Sequence, residues 1–132
     1  MEARRRRGLG GDRDRGVAPV TGARRGPRRG EVWWVALDPA VGTEIGKTRP
    51  AVVLSNDSCN VHGNRVVVLP VTGNVEALYP GEARIQVRGR PARALGDQIR
   101  SVDRRRLRSR VEVLPPEALT AVEEAVRITL GL

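Results

Sequence analysis

Residues 42–56 read GTEIGKTRPAVVLSN, a polar run that passes through Arg49 and Pro50 into an apolar segment. The polar half predicts a flexible loop, and residues 49–55 predict a buried strand. Arg49 lies at the junction, where a rigid strand can hold its guanidinium at the mouth of a loop. Binding and catalytic residues commonly occupy such a junction. We therefore take Arg49 as the centre of the candidate site.

The same stretch superficially resembles the phosphate-binding loop of nucleotide hydrolases, G-x-x-x-x-G-K-[ST]. Only three residues separate Gly42 from Gly46, and a strand rather than a helix is predicted to follow Thr48. The phosphate-binding loop needs a helix N-terminus to direct its backbone N–H groups at the phosphates. Nucleotide hydrolysis is therefore not predicted.

The composition indicates one β-rich domain. The 132 residues include two Trp, one Tyr and no Phe, so the core must be built from Val, Leu, Ile and Ala. Cys59 has no partner for an internal disulfide, and with the lone His62 it cannot form a zinc site. No metal or other cofactor is expected. Because no apolar run approaches the length of a membrane span and the Arg-rich start lacks the apolar segment of a secretion signal, we predict a cytoplasmic protein without membrane contact.

The basic charge is concentrated near the N-terminus. Residues 1–29 contain ten Arg against three acidic residues, whereas the remainder contains fourteen basic and twelve acidic residues. Residues 1–27 consist mainly of Arg, Gly and Pro and are predicted to be a disordered extension. The extension is either a solvated tail or an arm that attracts nucleic acid. Residues 28–132 are predicted to form the domain.

Turn signals separate six predicted strands, at residues 31–37, 49–55, 65–71, 83–87, 92–95 and 107–114. The third strand is expected to be interrupted or to end at Pro70. A polar connection is predicted over residues 56–64 and a helical turn over residues 98–106. In the last strand the residues expected to point inward are Leu107, Val111 and Val113.

The first strand contains the only two Trp residues of the chain. Trp33 shares a face with Val35 and Leu37 and is expected to point into the core. Trp34 is left at the edge of the fold. It is either an ordinary half-buried residue or a contact for a partner subunit, a peptide or RNA.

A C-terminal helix follows Pro115. Its apolar stripe consists of Leu119, Val122, Val126 and Leu130. Pro116 suits the first helical position and Gly131 suits the C-terminal cap. Several short strands and one terminal helix indicate a mainly β fold, a small and strongly bent antiparallel sheet or barrel.

Three segments resemble the MazF/PemK toxins of bacterial toxin–antitoxin systems. They are RRGEVWWVALDPAVGTEIGKTRPAVVLSND, VVVLPVT and DQIRSVDRRRL, in this order along the chain. The resemblance implies an SH3-like barrel of the CcdB/PemK type with a small α content. It also implies a metal-independent, sequence-specific endoribonuclease that cleaves single-stranded RNA. The expected partners are mRNA, a second copy of the chain in a homodimer, and an antitoxin with an acidic tail.

The resemblance also implies which residues form the site. The catalytic residues fall on Arg49 and Thr72. The loop that gates and reads RNA falls on residues 41–48, and a second recognition loop falls on residues 55–64. The implied RNA-binding residues are Thr43, Glu44, Lys47, Ser55, Asn56, Asp57, Gln98 and Arg100.

The chemistry of these residues suits RNA cleavage by attack of the 2′-OH on the neighbouring phosphorus. That reaction expels the 5′-oxygen and leaves a 2′,3′-cyclic phosphate and a 5′-hydroxyl. The planar guanidinium of Arg49 can bind two phosphate oxygens, and the hydroxyl of Thr72 can add a hydrogen bond. Guanidinium is a poor base because its pKa exceeds about 12. The candidate general bases are Glu44, Asp57 and His62.

Other interpretations stay open at this point. Arg49 could instead pin the loop through a salt bridge to Glu44 or Asp97, and Thr72 could be a plain turn residue. The run Arg104–Arg106 with Arg108 is either a solvated face or a stripe that follows phosphates. The whole protein could be a non-catalytic RNA-binding barrel. It could also be a related toxin that poisons DNA gyrase, which would not need Arg49 and Thr72.

Overall fold

The computed structural model describes residues 26–132, so the predicted N-terminal extension lies almost wholly outside it. Seven strands form one antiparallel sheet: β1 Glu31–Ala36, β2 Thr48–Val53, β3 Arg65–Thr72, β4 Glu82–Val87, β5 Arg90–Leu95, β6 Arg100–Asp103 and β7 Leu107–Val113. The helices are α1 Asp57–His62 and α2 Pro116–Leu130, and two 3₁₀ turns span Gly96–Gln98 and Arg104–Arg106. None of these helices is long and apolar enough to cross a membrane.

Strand β3 is the centre of the sheet. The strands lie in the order β4-β5-β3-β2-β1-β7, and β6 also pairs with β3. Pro70 is the last β3 residue paired with β2, and Val71 and Thr72 pair instead with β5. The prediction that the strand ends or breaks at Pro70 was wrong, because β3 continues to Thr72 with a new partner. This change of partner curls the sheet into a half-barrel, which confirms the predicted fold class.

Apolar residues are buried on both faces of the curled sheet. One cluster, which includes Val32, Val52 and Leu69, is closed by the β4–β5 hairpin and α2. The second cluster, which includes Val35, Val53 and Val68, lies on the other face. Because both faces are covered, the strands read as near-continuous runs of Val rather than as a strict alternation of apolar and polar residues. Trp33 packs against the second cluster, as predicted.

Helix α2 has the predicted bounds and packs against the sheet mainly at β4 and the Gly96–Gln98 turn. Val122 is fully buried in this contact, and Gly131 adopts the left-handed conformation (φ 71°) of a C-terminal cap. Leu130, at the end of the predicted apolar stripe, is about half exposed. The neighbouring Thr129 donates to the carbonyl of Gly81 at 3.4 Å, so the face of α2 that packs here carries Thr129 rather than Leu130.

The connection between β2 and β3 contains α1, where the sequence predicted only a polar loop. Asn56 caps the helix by accepting a hydrogen bond from the N–H of Cys59 at 2.8 Å. Asn60 is fully buried, and its amide nitrogen donates to the carbonyl of Ser55 at 2.9 Å. These side-chain bonds stabilise a short helix that the turn-forming composition does not suggest.

The predicted helical turn over residues 98–106 is confirmed only at Arg104–Arg106, which form a 3₁₀ turn, and was wrong for residues 100–103. The segment contains β6, which pairs with the first half of β3. Strand β6 has only 4 residues, and Val102 is the only one of them that is buried. Its sequence therefore shows no alternation of apolar and polar residues. Val113 was expected to point inward but is 59% exposed. The pairing of β1 with β7 contains register shifts, and such irregularities change which face a strand residue occupies.

The turn after β6 supplies a pH-dependent contribution to stability. Asp103 accepts hydrogen bonds from the backbone N–H (2.9 Å) and the side chain (3.0 Å) of Arg105, and the side-chain bond is the main cause that holds the pKa of Asp103 below its usual 3.8. A carboxylate with a lowered pKa stabilises the fold above its unfolded pKa, and the contribution disappears as the pH falls through the folded pKa.

Asp103→Asn keeps the backbone cap but removes the charge. In urea unfolding it should cost less than about 1 kcal/mol at pH 7, because the pair is exposed, and less at pH 3 than at pH 7. An equal cost at both pH values would contradict this origin.

Candidate active site

Arg49 is held by one end of its guanidinium. It is half-buried on the face of β2 that also carries Ala51 and Val53, and its Nε donates to the carbonyl of Gly46 at 2.9 Å. Its two terminal nitrogens form no hydrogen bond or ion pair with any residue of the range 26–132. The alternative of a salt bridge to Glu44 or Asp97 is therefore not found. The two terminal nitrogens can still donate to an anion.

Thr72 ends the neighbouring strand on the same face. The pairing of β2 with β3 joins Ala51 to Pro70. Arg49 and Thr72 each lie two residues beyond that pair, and side chains two residues apart in a strand share a face. The Oγ1 of Thr72 accepts a hydrogen bond from the N–H of Asn74 at 3.2 Å. Because that bond uses an oxygen lone pair, the hydroxyl proton can be donated to another group.

The loop between β1 and β2 is anchored at several points. Asp38 accepts from the backbone N–H of Lys47 at 2.8 Å, and Gln98 accepts from the backbone N–H of Ile45 at 3.3 Å. Arg100 donates to the carbonyl of Leu37 at 3.2 Å. Gln98 and Arg100 were predicted to bind RNA, but in the structure they hold the β1–β2 loop. That loop carries three further predicted RNA-binding residues. At the loop itself Thr43, Glu44 and Lys47 are exposed.

The candidate base Glu44 takes part in the loop's own turn. Its carboxylate accepts from the backbone N–H of Val41 at 2.9 Å. Lys47 has a left-handed backbone (φ 66°), and its carbonyl accepts from the N–H of Leu37 at 2.8 Å. These contacts give the exposed tip of the loop a defined shape.

The second predicted recognition loop uses most of its polar side chains for structure. The hydroxyl of Ser55 accepts from the backbone N–H of Val67 at 3.0 Å, and Asn56 caps α1. Asp57 accepts from the backbone N–H of Arg29 at 2.7 Å. His62 lies exposed at the end of α1, with Nδ1 3.0 Å from the carbonyl of Ser58. The structure does not bring these residues into contact with Arg49 or Thr72.

The Arg run after β6 is neither a purely solvated face nor a free stripe. Arg104 donates to the carbonyl of Gly63 at 3.0 Å, and its burial lowers the pKa of its guanidinium. Arg106 donates to the carbonyl of Ala36 at 3.0 Å. Arg105 and Arg108 are exposed. Arg104 and Arg106 therefore support the fold through hydrogen bonds to backbone carbonyls.

Sequence reasoning missed Arg93, which lies directly opposite Thr72 in the pairing of β3 with β5. Its side chain is only 15% exposed, lies 3.6 Å from the carboxylate of Glu82 and donates to the carbonyl of Ala77. Its Nε, the atom nearest to Glu82, is buried and forms no hydrogen bond with any of the described residues. The one signal in the sequence was a charged residue between Ala92 and Ala94, two small residues of a predicted strand.

A groove of about 590 Å³ opens beside Thr72. Its lining combines apolar side chains, Trp34 among them, with two Arg residues of the β4–β5 hairpin. Among residues 26–132, no group of three or more His, Cys, Asp or Glu side chains is arranged to hold a metal ion.

Comparison with known proteins identifies the family. The profile described as "PemK-like, MazF-like toxin of type II toxin-antitoxin system" matches residues 28–130. The chain belongs to the PemK/MazF toxin family. It is also 36% identical over 114 residues to Endoribonuclease MazF9 of Mycobacterium tuberculosis (strain ATCC 25618 / H37Rv), an alignment that covers 80% of this chain and 97% of that protein.

Solved structures of PemK/MazF toxins share the fold. MazF from Deinococcus radiodurans (Form-I) is 30% identical with a TM-score of 0.72, covering 80% of this chain and 97% of that one. A MazE–MazF complex from the same organism (Form-III) is 29% identical with a TM-score of 0.66, over 80% and 97% of the two chains. A mycobacterial endoribonuclease in complex with its cognate antitoxin is 20% identical, with a TM-score of 0.67 over 80% and 96%, and supports the fold alone.

Proposed function

We propose that this PemK/MazF family member is the toxin of a toxin–antitoxin system and acts as a sequence-specific endoribonuclease on single-stranded mRNA, which inhibits translation and growth. The observation that carries the proposal is Arg49, anchored at Nε with both terminal nitrogens unpaired among the described residues and on the same face as the hydroxyl of Thr72. The family membership and the endoribonuclease named as a relative support it.

Arg49 acts in this mechanism as the stabiliser of charge. As the 2′-OH attacks phosphorus, negative charge builds on the non-bridging phosphate oxygens. The two free nitrogens of Arg49 can bind both oxygens at once. A positioned donor of this kind commonly contributes about 3–4 kcal/mol to the transition state. The anchored Nε keeps the guanidinium in place before substrate arrives, which is the condition for such a contribution.

Thr72 contributes a second donor to the same phosphate. Its Oγ1 accepts a hydrogen bond from the N–H of Asn74, so its hydroxyl proton points away from the turn. The hydroxyl can therefore donate a hydrogen bond to a phosphate oxygen. The reaction breaks the bond from phosphorus to the 5′-oxygen and forms one to the 2′-oxygen, and the proton that the 2′-OH loses is balanced by the proton that the departing 5′-oxygen gains. Its products are a 2′,3′-cyclic phosphate and a 5′-hydroxyl, and no step requires a metal ion or other cofactor.

Exposed groups of the β1–β2 loop bind the RNA in this proposal. Thr43, Glu44 and Lys47 can reach bases and phosphates because they are exposed at the tip of an anchored loop. Gln98 and Arg100 act on RNA through the loop that they hold. Binding roles for Ser55, Asn56 and Asp57 stay part of the proposal. Their side chains would have to serve both the fold and the substrate.

The proposed partners follow from the relatives. Solved structures contain MazF with MazE, and an endoribonuclease with its cognate antitoxin. We propose that an antitoxin with an acidic tail neutralises this protein, whose site offers the two terminal nitrogens of Arg49, unpaired among residues 26–132. A homodimer and a cytoplasmic location, where mRNA is found, complete the proposal.

The proposed chemistry is tested by digesting a long defined RNA with purified protein in EDTA. We expect discrete cuts whose 3′ fragments have 5′-hydroxyl ends, detected by direct labelling with a polynucleotide kinase. A 2′-deoxy substitution at the nucleotide 5′ of one cut should abolish cleavage there and leave other cuts unchanged. Cleavage that persists at the substituted position, or no cleavage at all, would contradict the mechanism.

The two other interpretations predict different results from the same protein. A non-catalytic RNA-binding barrel should bind the RNA and leave it intact, and its expression without an antitoxin should be tolerated. A gyrase poison should be toxic but produce DNA breaks with intact RNA. The terminal donors of Arg49, which have no partner in the described part of the chain and lie on the same face as Thr72, favour the ribonuclease.

A further inference from the structure

We propose that Arg93 is a positioning residue for Thr72, because it fixes the segment that follows Thr72 and thereby orients the hydroxyl. The inference rests on the proposed function, in which Thr72 donates to the scissile phosphate, and adds a residue that acts through contacts within the protein. Arg93 lies on β5, directly opposite Thr72 in the pairing with β3. Side chains directly opposite in an antiparallel pair share a face, and their Cβ atoms are about 4.5–5.5 Å apart.

The segment that Arg93 holds is the loop of residues 73–81, which connects β3 to β4. Its largest apolar side chains, Leu78 and Tyr79, are 48% and 61% exposed. Burial of apolar surface therefore contributes little to the order of this loop, and a segment with few such contacts opens easily. Its order must come mainly from hydrogen bonds.

Arg93 and Glu82 supply hydrogen bonds to the second half of the loop. The Nη1 of Arg93 donates to the carbonyl of Ala77. The carboxylate of Glu82 accepts from the backbone N–H of Tyr79 at 3.0 Å, and the N–H of Glu82 donates to the carbonyl of Tyr79 at 3.0 Å. Two neighbouring charged side chains thus fasten the loop to the β4–β5 hairpin.

The hydroxyl of Thr72 belongs to the first turn of the same loop. Its Oγ1 accepts from the N–H of Asn74 at 3.2 Å, and the side-chain oxygen of Asn74 accepts from the N–H of Glu76 at 3.1 Å. The next residue is Ala77, which Arg93 holds. A continuous series of contacts therefore links the guanidinium of Arg93 to the hydroxyl of Thr72. A misplacement of about 1 Å at a reacting group can cost about a hundredfold in rate.

The burial of the Arg93–Glu82 pair indicates a role other than stability. The two side chains are 15% and 12% exposed, and the Nε of Arg93 lies 3.6 Å from the carboxylate. The cost of removing two charges from water can exceed their mutual attraction unless further hydrogen bonds complete the site. That Nε is buried and forms no hydrogen bond within residues 26–132. The pair is therefore a weak source of stability, but its bonds to the loop select one conformation of that loop.

Arg84 provides a matched control on the same face. It lies directly opposite Arg93 in the pairing of β4 with β5, so that Thr72, Arg93 and Arg84 form one row across three strands. Arg84 is exposed, and its side chain forms no hydrogen bond or ion pair with any other described residue. The two Arg residues share their charge and their face, and only Arg93 holds the loop.

The first test measures the order of the loop and needs no RNA. Amide hydrogen exchange of the full-length protein is followed by mass spectrometry on peptides that cover residues 73–81. Arg93→Met keeps an unbranched side chain but removes the donors, and it should accelerate exchange in these peptides about tenfold, the usual effect of losing a bond to a charged donor. Arg84→Gln should match wild type. Exchange in Arg93→Met that equals wild type would overturn the proposal.

The second test asks whether Arg93 acts through Thr72. Arg93→Met should lower kcat about 10- to 100-fold and leave KM within about threefold, whereas Arg84→Gln should leave kcat unchanged. In a Thr72→Ala background the same Arg93→Met change should cost less than about threefold, because the hydroxyl that Arg93 orients is absent. Equal costs in the two backgrounds would show that Arg93 acts elsewhere and would refute the inference.

A direct contact of Arg93 with RNA would give a different result. Each phosphate contact on a single strand contributes about 0.7 to the slope of log K against log salt. The probe is a short RNA that contains one cut site made uncleavable by the 2′-deoxy substitution. Its binding should show the same slope with Arg93→Met as with wild type. A lower slope in the variant would make Arg93 a binding residue and overturn its positioning role.

A second pair of variants guards against a failure to fold. Arg93→Met leaves Glu82 as a buried carboxylate without its partner, which is strongly destabilising. Arg93→Met with Glu82→Gln removes both charges and keeps an acceptor for the N–H of Tyr79. This variant should melt near wild type and still lose kcat, and Arg93→Lys, which keeps a donor for Ala77, should recover part of the rate. A normal kcat in the folded double variant would contradict the proposal.

The inference and the proposed function fail in different experiments. Normal cleavage by Arg93→Met, with wild-type protein active, sinks this inference alone. If wild-type protein leaves RNA intact while exchange in residues 73–81 still depends on Arg93, the proposed function fails and the contact between Arg93 and the loop is confirmed.

Discussion

Arg49→Ala is expected to reduce kcat/KM for RNA cleavage about a hundred- to a thousandfold, the usual effect of removing one preorganised donor to a developing anion. The loss should fall mainly on kcat, because the two terminal nitrogens meet their strongest partner only when charge builds on the phosphate. The measurement is the initial rate of cleavage of a fluorescent RNA at several substrate concentrations. In cells, the variant should be tolerated without an antitoxin.

Arg49→Lys is the matched variant. It retains the positive charge but loses both the fork and the Nε bond to Gly46. Its rate should therefore lie between those of wild type and Arg49→Ala, while its melting temperature should match theirs within a few degrees. A rate for Arg49→Ala within threefold of wild type would remove Arg49 from the catalytic machinery. A rate loss that tracks a loss of folded protein would make its role structural.

Gly96→Ala is expected to destabilise the fold by about 3 kcal/mol, near the upper end of the usual cost of overpacking. A Cβ at Gly96 would lie 2.2 Å from the carbonyl oxygen of Gly81 and 3.1 Å from that of Ala125. Both are backbone atoms, and Gly96 itself donates to the Gly81 carbonyl at 2.9 Å. Relief would require the 3₁₀ turn to move away from both Gly81 and α2. The measurement is urea unfolding followed by circular dichroism, with a melting temperature lower by about 10 °C.

Gly73→Ala is the control for that change. A Cβ at Gly73 would meet no atom within 4 Å, and its backbone is not in the left-handed region. Its stability should stay within about 0.5 kcal/mol of wild type. If both variants were equally stable, Gly96 would not be in the close contact with Gly81 and α2 that the structure shows.

The sequence was most informative where patterns are local. The spacing of Leu119, Val122 and Val126 fixed α2, and the junction at Arg49 was visible because a polar run meets an apolar one. The role of Thr72 came from the resemblance alone, since no local pattern distinguishes it from a turn residue. Its position beside Arg49 depends on the pairing of β2 with β3, which periodicity does not specify.

The rest depended on contacts between distant residues. The short strand β6 exists because it pairs with β3, and α1 exists because Asn56 and Asn60 bond locally in a manner that composition hides. The roles of Gln98 and Arg100 in holding a loop more than fifty residues earlier have no signature in the sequence. Arg93 was missed for the same reason, because only the register of β5 places it opposite Thr72.

The anchoring of the β1–β2 loop also bears on when the protein becomes harmful during its own synthesis. Gln98, Arg100 and Arg106 are made 53 to 70 residues after the backbone groups they hold, and β1 acquires its partner β7 later still. A nascent chain that ends before residue 98 has Arg49 and Thr72 but lacks the contacts from Gln98, Arg100 and Arg106 that hold the β1–β2 loop to the rest of the fold. We therefore expect that the nascent chain does not cleave RNA at the ribosome until its synthesis is nearly complete. An antitoxin then needs to recognise only the completed molecule.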